Sequence, residues 1–140
     1  MPPLEPNWKS YIGKTIKLVL TPQQCSELIR IGQSEPKINA AIIGTKDQPN
    51  KIDLQYRKSI ISWIPFAKAD PIYQIINHWL QTVNNNSFGF DNVQLTEPGQ
   101  YAEYSKGGYY NWHMDSNVTM ESMPPVRKIS MTLLLSDPEE

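Results

Sequence analysis

An α+β domain, with helices packed on an antiparallel sheet or jelly roll, is the fold class this sequence predicts. Its two clear helix signals, Thr21-Pro22 and Asp70-Pro71, both precede the Asn84-Asn85-Asn86 run. From Phe88 onward the texture changes: short β-branched and aromatic runs are punctuated by Pro98-Gly99, Gly107-Gly108 and Pro124-Pro125, the pattern of strands joined by turns. Helices first and strands second is the order of an α+β architecture. The 140 residues fit one domain spanning 1–140. A chain of that size buries roughly two-thirds of its unfolded surface, enough to fold without disulfides.

Taken in order, the proline-rich start (Pro2, Pro3, Pro6) is expected to be extended or frayed, and residues 14–20 to form a short strand. Thr21 at the N-cap, Pro22 at N1 and Gln24 at N3 form a capping box, opening a helix near 22–32 that Gly32 ends. Residues 40–44 are a candidate strand before a polar loop at 45–50, and residues 59–63 a candidate strand in a β-branched, aromatic stretch. Asp70 is expected to cap a second helix near 71–84, in which Ile72, Ile75, Ile76, Trp79, Leu80 and Val83 share one face until the Asn run stops it. Leu28, Ile29, Ile72, Ile76 and Leu80 are the residues expected to pack the helices on the sheet. Strands are expected at 92–96, 100–105, 109–115 and 127–135.

Composition excludes several functions. A formal net charge of −1 with no basic run argues against nucleic-acid binding. No apolar run approaches the ~20 residues needed to span a bilayer, and the first residues lack the pattern of a signal peptide. The single cysteine leaves no intramolecular disulfide framework and fits a reducing compartment, so a cytoplasmic protein is expected. Cys25, on the apolar helix face, reads as a structural thiol, and His78 as a helix-surface histidine. There is no GxGxxG, P-loop, CxxC pair or serine nucleophile elbow.

The 109–115 segment carries the chemistry. Strand alternation places Tyr109, Asn111, His113 and Asp115 on one face and Tyr110, Trp112 and Met114 on the other. An imidazole and a carboxylate converging in this way supply two adjacent ligands to a divalent metal. With a second histidine they form the 2-His-1-carboxylate triad that leaves positions open on Fe(II). A His-x-Asp/Glu pair arises by chance in roughly one such chain in five, so the spacing alone favours a surface histidine beside a solvated aspartate.

The wider context is more specific. The ordered set RKSIISWIP (57–65), VNNNSFGFD (83–91), QYAEYSKGGYYNWHMD (100–115) and RKISMTLLLSDPEE (127–140) resembles the Fe(II)- and 2-oxoglutarate-dependent dioxygenases of the prolyl 4-hydroxylase type, including bacterial and phage relatives. The resemblance covers the chain from about Arg57 onward. It implies a double-stranded β-helix (jelly roll) with metal-bearing strands from about residue 92, and His113 and Asp115 as the first two iron ligands. It places Tyr104 at the distal carboxylate of 2-oxoglutarate and Tyr110 on the substrate side. Ser130, Thr132 and Leu134 would line the co-substrate pocket. Alternation conflicts with the role of Tyr110, since it faces away from His113: either Gly107-Gly108 place it in a turn or bulge, or its role is packing. The implied cofactors are Fe(II), 2-oxoglutarate and O2, with ascorbate beside them. The implied reaction is C–H hydroxylation with succinate and CO2 as co-products, and a peptidyl proline in a peptide or protein partner is the favoured target.

In the family the pattern continues past the Leu-Ser-Asp-Pro block to a distal histidine and then to a basic residue that pairs with 2-oxoglutarate. Here no histidine follows His113, and Arg127 precedes the position of that basic residue. The chain is therefore expected to be the N-terminal and central part of a dioxygenase, with its C-terminal jelly-roll strands missing. Two alternatives stand beside it: a non-catalytic jelly-roll binding or assembly module, and a different metal-dependent jelly-roll enzyme using His113 and Asp115.

Overall fold

The computed structural model describes residues 12–39, 56–113, 115 and 127–136. Two helices and two small antiparallel sheets make up the described part, a mixed α+β architecture. Helix α1 (Pro22–Ser34) begins as its capping box dictates: the Gln24 N–H donates to Thr21 Oγ1 at 3.2 Å, and the Thr21 N–H donates to Gln24 Oε1 at 2.8 Å. It passes through Gly32 and ends at Ser34, whose hydroxyl donates to the Ile31 carbonyl at 2.8 Å. Helix α2 (Asp70–Val83) starts one residue earlier than expected, at the residue expected to cap it. Ala69 occupies the N-cap, and Asp70 lies in the first turn, accepting from Gln74 Nε2 at 2.8 Å. A single 3₁₀ turn, Phe66–Lys68, leads into the helix and takes the place of a side-chain cap.

The Asn run does not stop α2 outright. Asn84–Phe88 continues it as one wider π turn, closed by Gly89 at φ 72°. Asn84 is buried because its amide serves both backbone groups of Phe90: Nδ2 donates to the carbonyl at 2.8 Å, and Oδ1 accepts from the N–H at 3.0 Å.

Strands β1 (Ile38–Asn39), β3 (Ile60–Ile64) and β4 (Gly99–Glu103) form one sheet in the order β1-β3-β4. The main ladder runs from Ile60↔Glu103 to Ile64↔Gly99. Strands β2 (Arg57–Lys58) and β5 (Tyr109–Tyr110) pair as Arg57↔Tyr110 and Lys58↔Tyr109. Both ladders use one run of chain, interrupted at Ser59, while residues 104–108 loop out between β4 and β5. That excursion closes with a turn in which the Gly108 N–H donates to the Ser105 carbonyl at 2.6 Å and Gly107 has φ +77°, the type II signature. A side chain at Gly108 would place its Cβ 3.0 Å from the Lys58 carbonyl oxygen, so the pairing of β2 with β5 needs glycine there.

The helices pack on β3 through Leu28, Ile72 and Ile76, as expected, in one cluster with Ile64; Leu80 is buried and Ile29 half-buried, but neither belongs to that cluster. Two buried hydroxyls fasten them. Ser62 Oγ donates to the Gly32 carbonyl at 2.6 Å, joining β3 to α1. Tyr73 Oη donates to the Ile64 carbonyl at 2.6 Å and accepts from the Gly99 N–H at 2.7 Å, joining α2 to both β3 and β4. Burial raises the Tyr73 phenol above its ordinary pKa, opposed by the Gly99 N–H. Cys25 packs half-buried against this core, and His78 is exposed.

Three expected strands are absent among the described residues: 14–20, 92–96 and 127–135. At 14–20 the side chains of Ile16 and Leu18 are exposed, so the apolar alternation there has no sheet to pair with. In 127–135 the alternation survives without ladder bonds. Leu133 and Leu135 pack against the core while Ser130, Thr132 and Leu134 are exposed. The expectations for the proline-rich start, 40–44 and 45–50 lie outside the described residues.

Candidate metal centre

The strand expected over 109–115 is much shorter: β5 ends at Tyr110, with one further ladder bond from the Asn111 N–H to the Tyr56 carbonyl at 2.9 Å. His113 and Asp115 therefore do not meet by strand alternation. The chain leaves the ladder and bends, held where Tyr56 Oη donates to the Trp112 carbonyl at 2.8 Å. The imidazole folds back and stacks on the Tyr110 ring, with centroids 3.7 Å apart and planes at 14°. Tyr110 itself is paired in β5 opposite Arg57 rather than set in a turn or bulge. Strand parity governs only residues within the ladder, so a turn beyond it brings His113 onto the face that Tyr110 presents.

The two candidate ligands do converge. His113 Nε2 lies 3.0 Å from Asp115 Oδ1. On the other side of the ring, Nδ1 is 2.8 Å from the Asn111 carbonyl oxygen. A carbonyl only accepts, so Nδ1 carries a hydrogen in this contact, and Nε2 in the neutral ring presents a lone pair. A lone pair facing a carboxylate oxygen at this range is repulsive unless a cation lies on or between them. A proton gives an imidazolium–carboxylate pair; a metal ion gives two cis ligands. Metal–ligand bonds of about 2.1 Å at right angles separate their donor atoms by about 3 Å. The observed spacing fits that bite, and a backbone carbonyl holding the distal ring nitrogen is the usual support for a ligating histidine.

Asp115 is oriented in turn. The Ser130 hydroxyl donates to Oδ2, leaving Oδ1 toward His113, and Arg127 donates to the Asp115 backbone carbonyl at 2.7 Å. Arg127 also pairs with Glu97. The Ser130 hydrogen bond, chiefly, holds the Asp115 carboxyl below its ordinary pKa; partial burial opposes this, and His113 and Arg127 add to it. An open cleft of about 450 Å³ lies at the pair, lined by Tyr110, Asn111, Trp112, His113 and Asp115. Trp112 stands 99% exposed at its edge.

Of the expected site residues, the structure thus brings together His113, Asp115, Tyr110 and Ser130. Tyr104, beyond the end of β4 and 48% exposed, does not line this cleft, nor do Thr132 and Leu134. No third His, Cys, Asp or Glu joins the pair among the described residues. Tyr56 and Arg57, which support Tyr110 from below, were not legible as site residues. Arg57 stands in a run of mixed polar and β-branched residues, and nothing local marks it as buried.

Comparison with family models, with curated proteins and with solved structures finds no match. Among the described residues no helix is long and apolar enough to cross a membrane.

Proposed function

We propose that this chain is a Fe(II)- and 2-oxoglutarate-dependent dioxygenase domain of the prolyl 4-hydroxylase type, hydroxylating a C–H bond in a peptide or protein, with a peptidyl proline as the favoured target. The observation that carries the proposal is the His113 Nε2 to Asp115 Oδ1 separation of 3.0 Å together with the Asn111 carbonyl on Nδ1. This sets the second imidazole nitrogen and a carboxylate oxygen at the bite of one divalent ion. When bound, Fe(II) supplies O2 activation coupled to oxidative decarboxylation of 2-oxoglutarate, with ascorbate as accessory reductant. The chain's residues hold and shape the site. His113 and Asp115 would hold the metal, Ser130 keeps the second carboxylate oxygen occupied, and Tyr110 and Trp112 wall the cleft on the substrate side.

In this reading the two antiparallel sheets belong to a double-stranded β-helix. The family resemblance calls for a third ligand and a cation for 2-oxoglutarate besides the described residues, and it assigns Tyr104, Thr132 and Leu134 to the co-substrate side, outside the cleft at His113. The single cysteine favours a reducing, cytoplasmic setting. The two-donor set also favours a second reading, a binding or assembly module that keeps the fold without turnover.

The test is titration with Mn(II), followed by electron paramagnetic resonance, and Fe(II)-dependent release of succinate from 2-oxoglutarate. Mn(II) binding that disappears in both His113→Ala and Asp115→Ala supports the metal centre, and weak binding is the expectation for two donors. Mn(II) affinity indifferent to both substitutions rejects it. Metal binding without succinate release, in a chain carrying all three ligands, would favour the binding module.

A further inference from the structure

Arg57 is the most deeply buried charged side chain among the described residues, at 5% exposure, yet no carboxylate there pairs with it. Its partners among the described residues are neutral. Nε donates to Ser59 Oγ at 2.8 Å, Nη2 donates to Gln100 Oε1 at 2.9 Å, and Cζ lies 4.2 Å from the centroid of the Tyr110 ring. Taking a guanidinium out of water without a counter-charge is unfavourable, and an aliphatic side chain would fill the same space without that penalty. What the guanidinium alone provides is a rigid plane, fixed at its edge by directional hydrogen bonds, with its face free to lie on an aromatic ring.

The other face of that ring is occupied as well. The His113 imidazole lies nearly parallel to Tyr110, at 3.7 Å between centroids. Two planar groups this close to one centroid cannot share a face, so Arg57 and His113 sandwich Tyr110. The anchors of Arg57 belong to the sheet: Ser59 joins β2 to β3, and Gln100 lies in β4. The Tyr56 ring adds an edge contact to Tyr110, at 5.9 Å and 76°. The strand ends before His113, yet through this stack the imidazole is still referred to the ladder.

We infer that Arg57, acting through Tyr110, is a positioning residue that fixes the plane and location of the His113 imidazole at the metal centre. The inference rests on reading His113 and Asp115 as metal ligands, and two readouts keep the two ideas separable. One is the Mn(II) dissociation constant. The other is the nuclear magnetic resonance shift of the His113 ring protons in the metal-free 140-residue protein, which the stacked tyrosine displaces upfield.

Arg57→Met is expected to move the His113 ring protons toward unstacked values. It should also weaken Mn(II) about 10–100-fold, the range for loss of a group supporting a metal ligand. Backbone resonances of α1, α2 and β3 should stay in place. Tyr110→Phe keeps the ring and should bind Mn(II) within about twofold of the parent, whereas Tyr110→Leu should reproduce the loss. Should Arg57→Met fail to fold, Arg57→Lys replaces it, keeping the charge but losing the planar fork, with the same two changes expected. Parental ring shifts and parental Mn(II) affinity in the folded Arg57 variant, or parental affinity in Tyr110→Leu, would overturn the inference. A parent protein that binds no Mn(II) would remove the metal reading, while the ring shifts still decide whether Arg57 sets the imidazole.

Discussion

The β3–β4 ladder and the 111–115 segment sit close together in the chain but are held by different forces. Residues 60–64 are fixed by continuous pairing to 99–103, by the buried Ser62 and Tyr73 hydroxyls, and by two helices packed on one face. Residues 111–115 have one ladder bond at the start. Past it, side-chain contacts set the geometry, among them Tyr56 on Trp112, the Tyr110–His113 stack, His113 on the Asn111 carbonyl, and Ser130 and Arg127 on Asp115. The first region gains stability from area removed from water. The second gains little from area, since it lies at the surface; its contacts determine direction. Folding and metal binding should therefore respond to different substitutions.

The largest separation is expected at the ligands. His113→Ala and Asp115→Ala should each reduce Mn(II) affinity by more than the ~10–100-fold that losing a supporting group produces. The denaturant midpoint should barely change, because exposed substitutions away from buried networks fall within about 0.5 kcal/mol. A large fall in midpoint would show that the site is part of the core. The converse follows for Leu28→Ala and Ile76→Ala, both buried against the sheet. Each should lower unfolding free energy by about 2–5 kcal/mol, while the folded fraction keeps its Mn(II) affinity. Equilibrium urea unfolding beside Mn(II) titration reads both quantities.

The same division decides what could be read from the sequence. Local rules held where local physics decides: Thr21, Pro22 and Gln24 wrote out a capping box, and the 3.6-residue period of Ile72, Ile76 and Leu80 marked the buried face of α2. Alternation failed at 14–20 and 92–96 because a strand exists only when another pairs with it, and pairing is a tertiary fact. His113 and Asp115 were legible as a pair from their spacing, but by the wrong geometry. They converge through a turn beyond the strand rather than through the pleat. Arg57 was invisible because its burial depends on Gln100 and Tyr110, more than forty residues away in sequence.

The two helix starts offer a smaller contrast. Thr21 caps α1 with a reciprocal side-chain pair, so Thr21→Ala should cost about 1 kcal/mol of stability. Asp70 sits inside the first turn of α2, with Ala69 at the cap. Its carboxylate interacts with the helix dipole and with Gln74 at the surface, and Asp70→Ala should cost only about 0.3–1 kcal/mol, screened by salt. Equal, salt-independent losses from both substitutions would show that Asp70 caps its helix after all.

The smallest expected effect lies at the far end of the β3–β4 ladder, where Lys37 Nζ donates to Glu103 Oε2 at 2.9 Å and Tyr101 Oη donates to Oε1 at 3.1 Å. The Lys37 hydrogen bond, chiefly, holds the Glu103 carboxyl below its ordinary value of 4.5; slight burial opposes it and Tyr101 adds to it. A carboxyl depressed in the folded state stabilises above its unfolded pKa, and that contribution is lost as pH falls through the folded pKa. Both side chains are partly exposed, so the pair should contribute about 0.2–1 kcal/mol near neutral pH and less at high salt. Lys37→Met should bring the Glu103 titration, followed by the carboxyl carbon shift, back toward 4.5. Its stability deficit should be present at neutral pH and vanish once acid has protonated Glu103 in both proteins. A deficit that persists in acid would mean that Lys37 acts through the packing of its methylene stem on the sheet edge rather than through its charge.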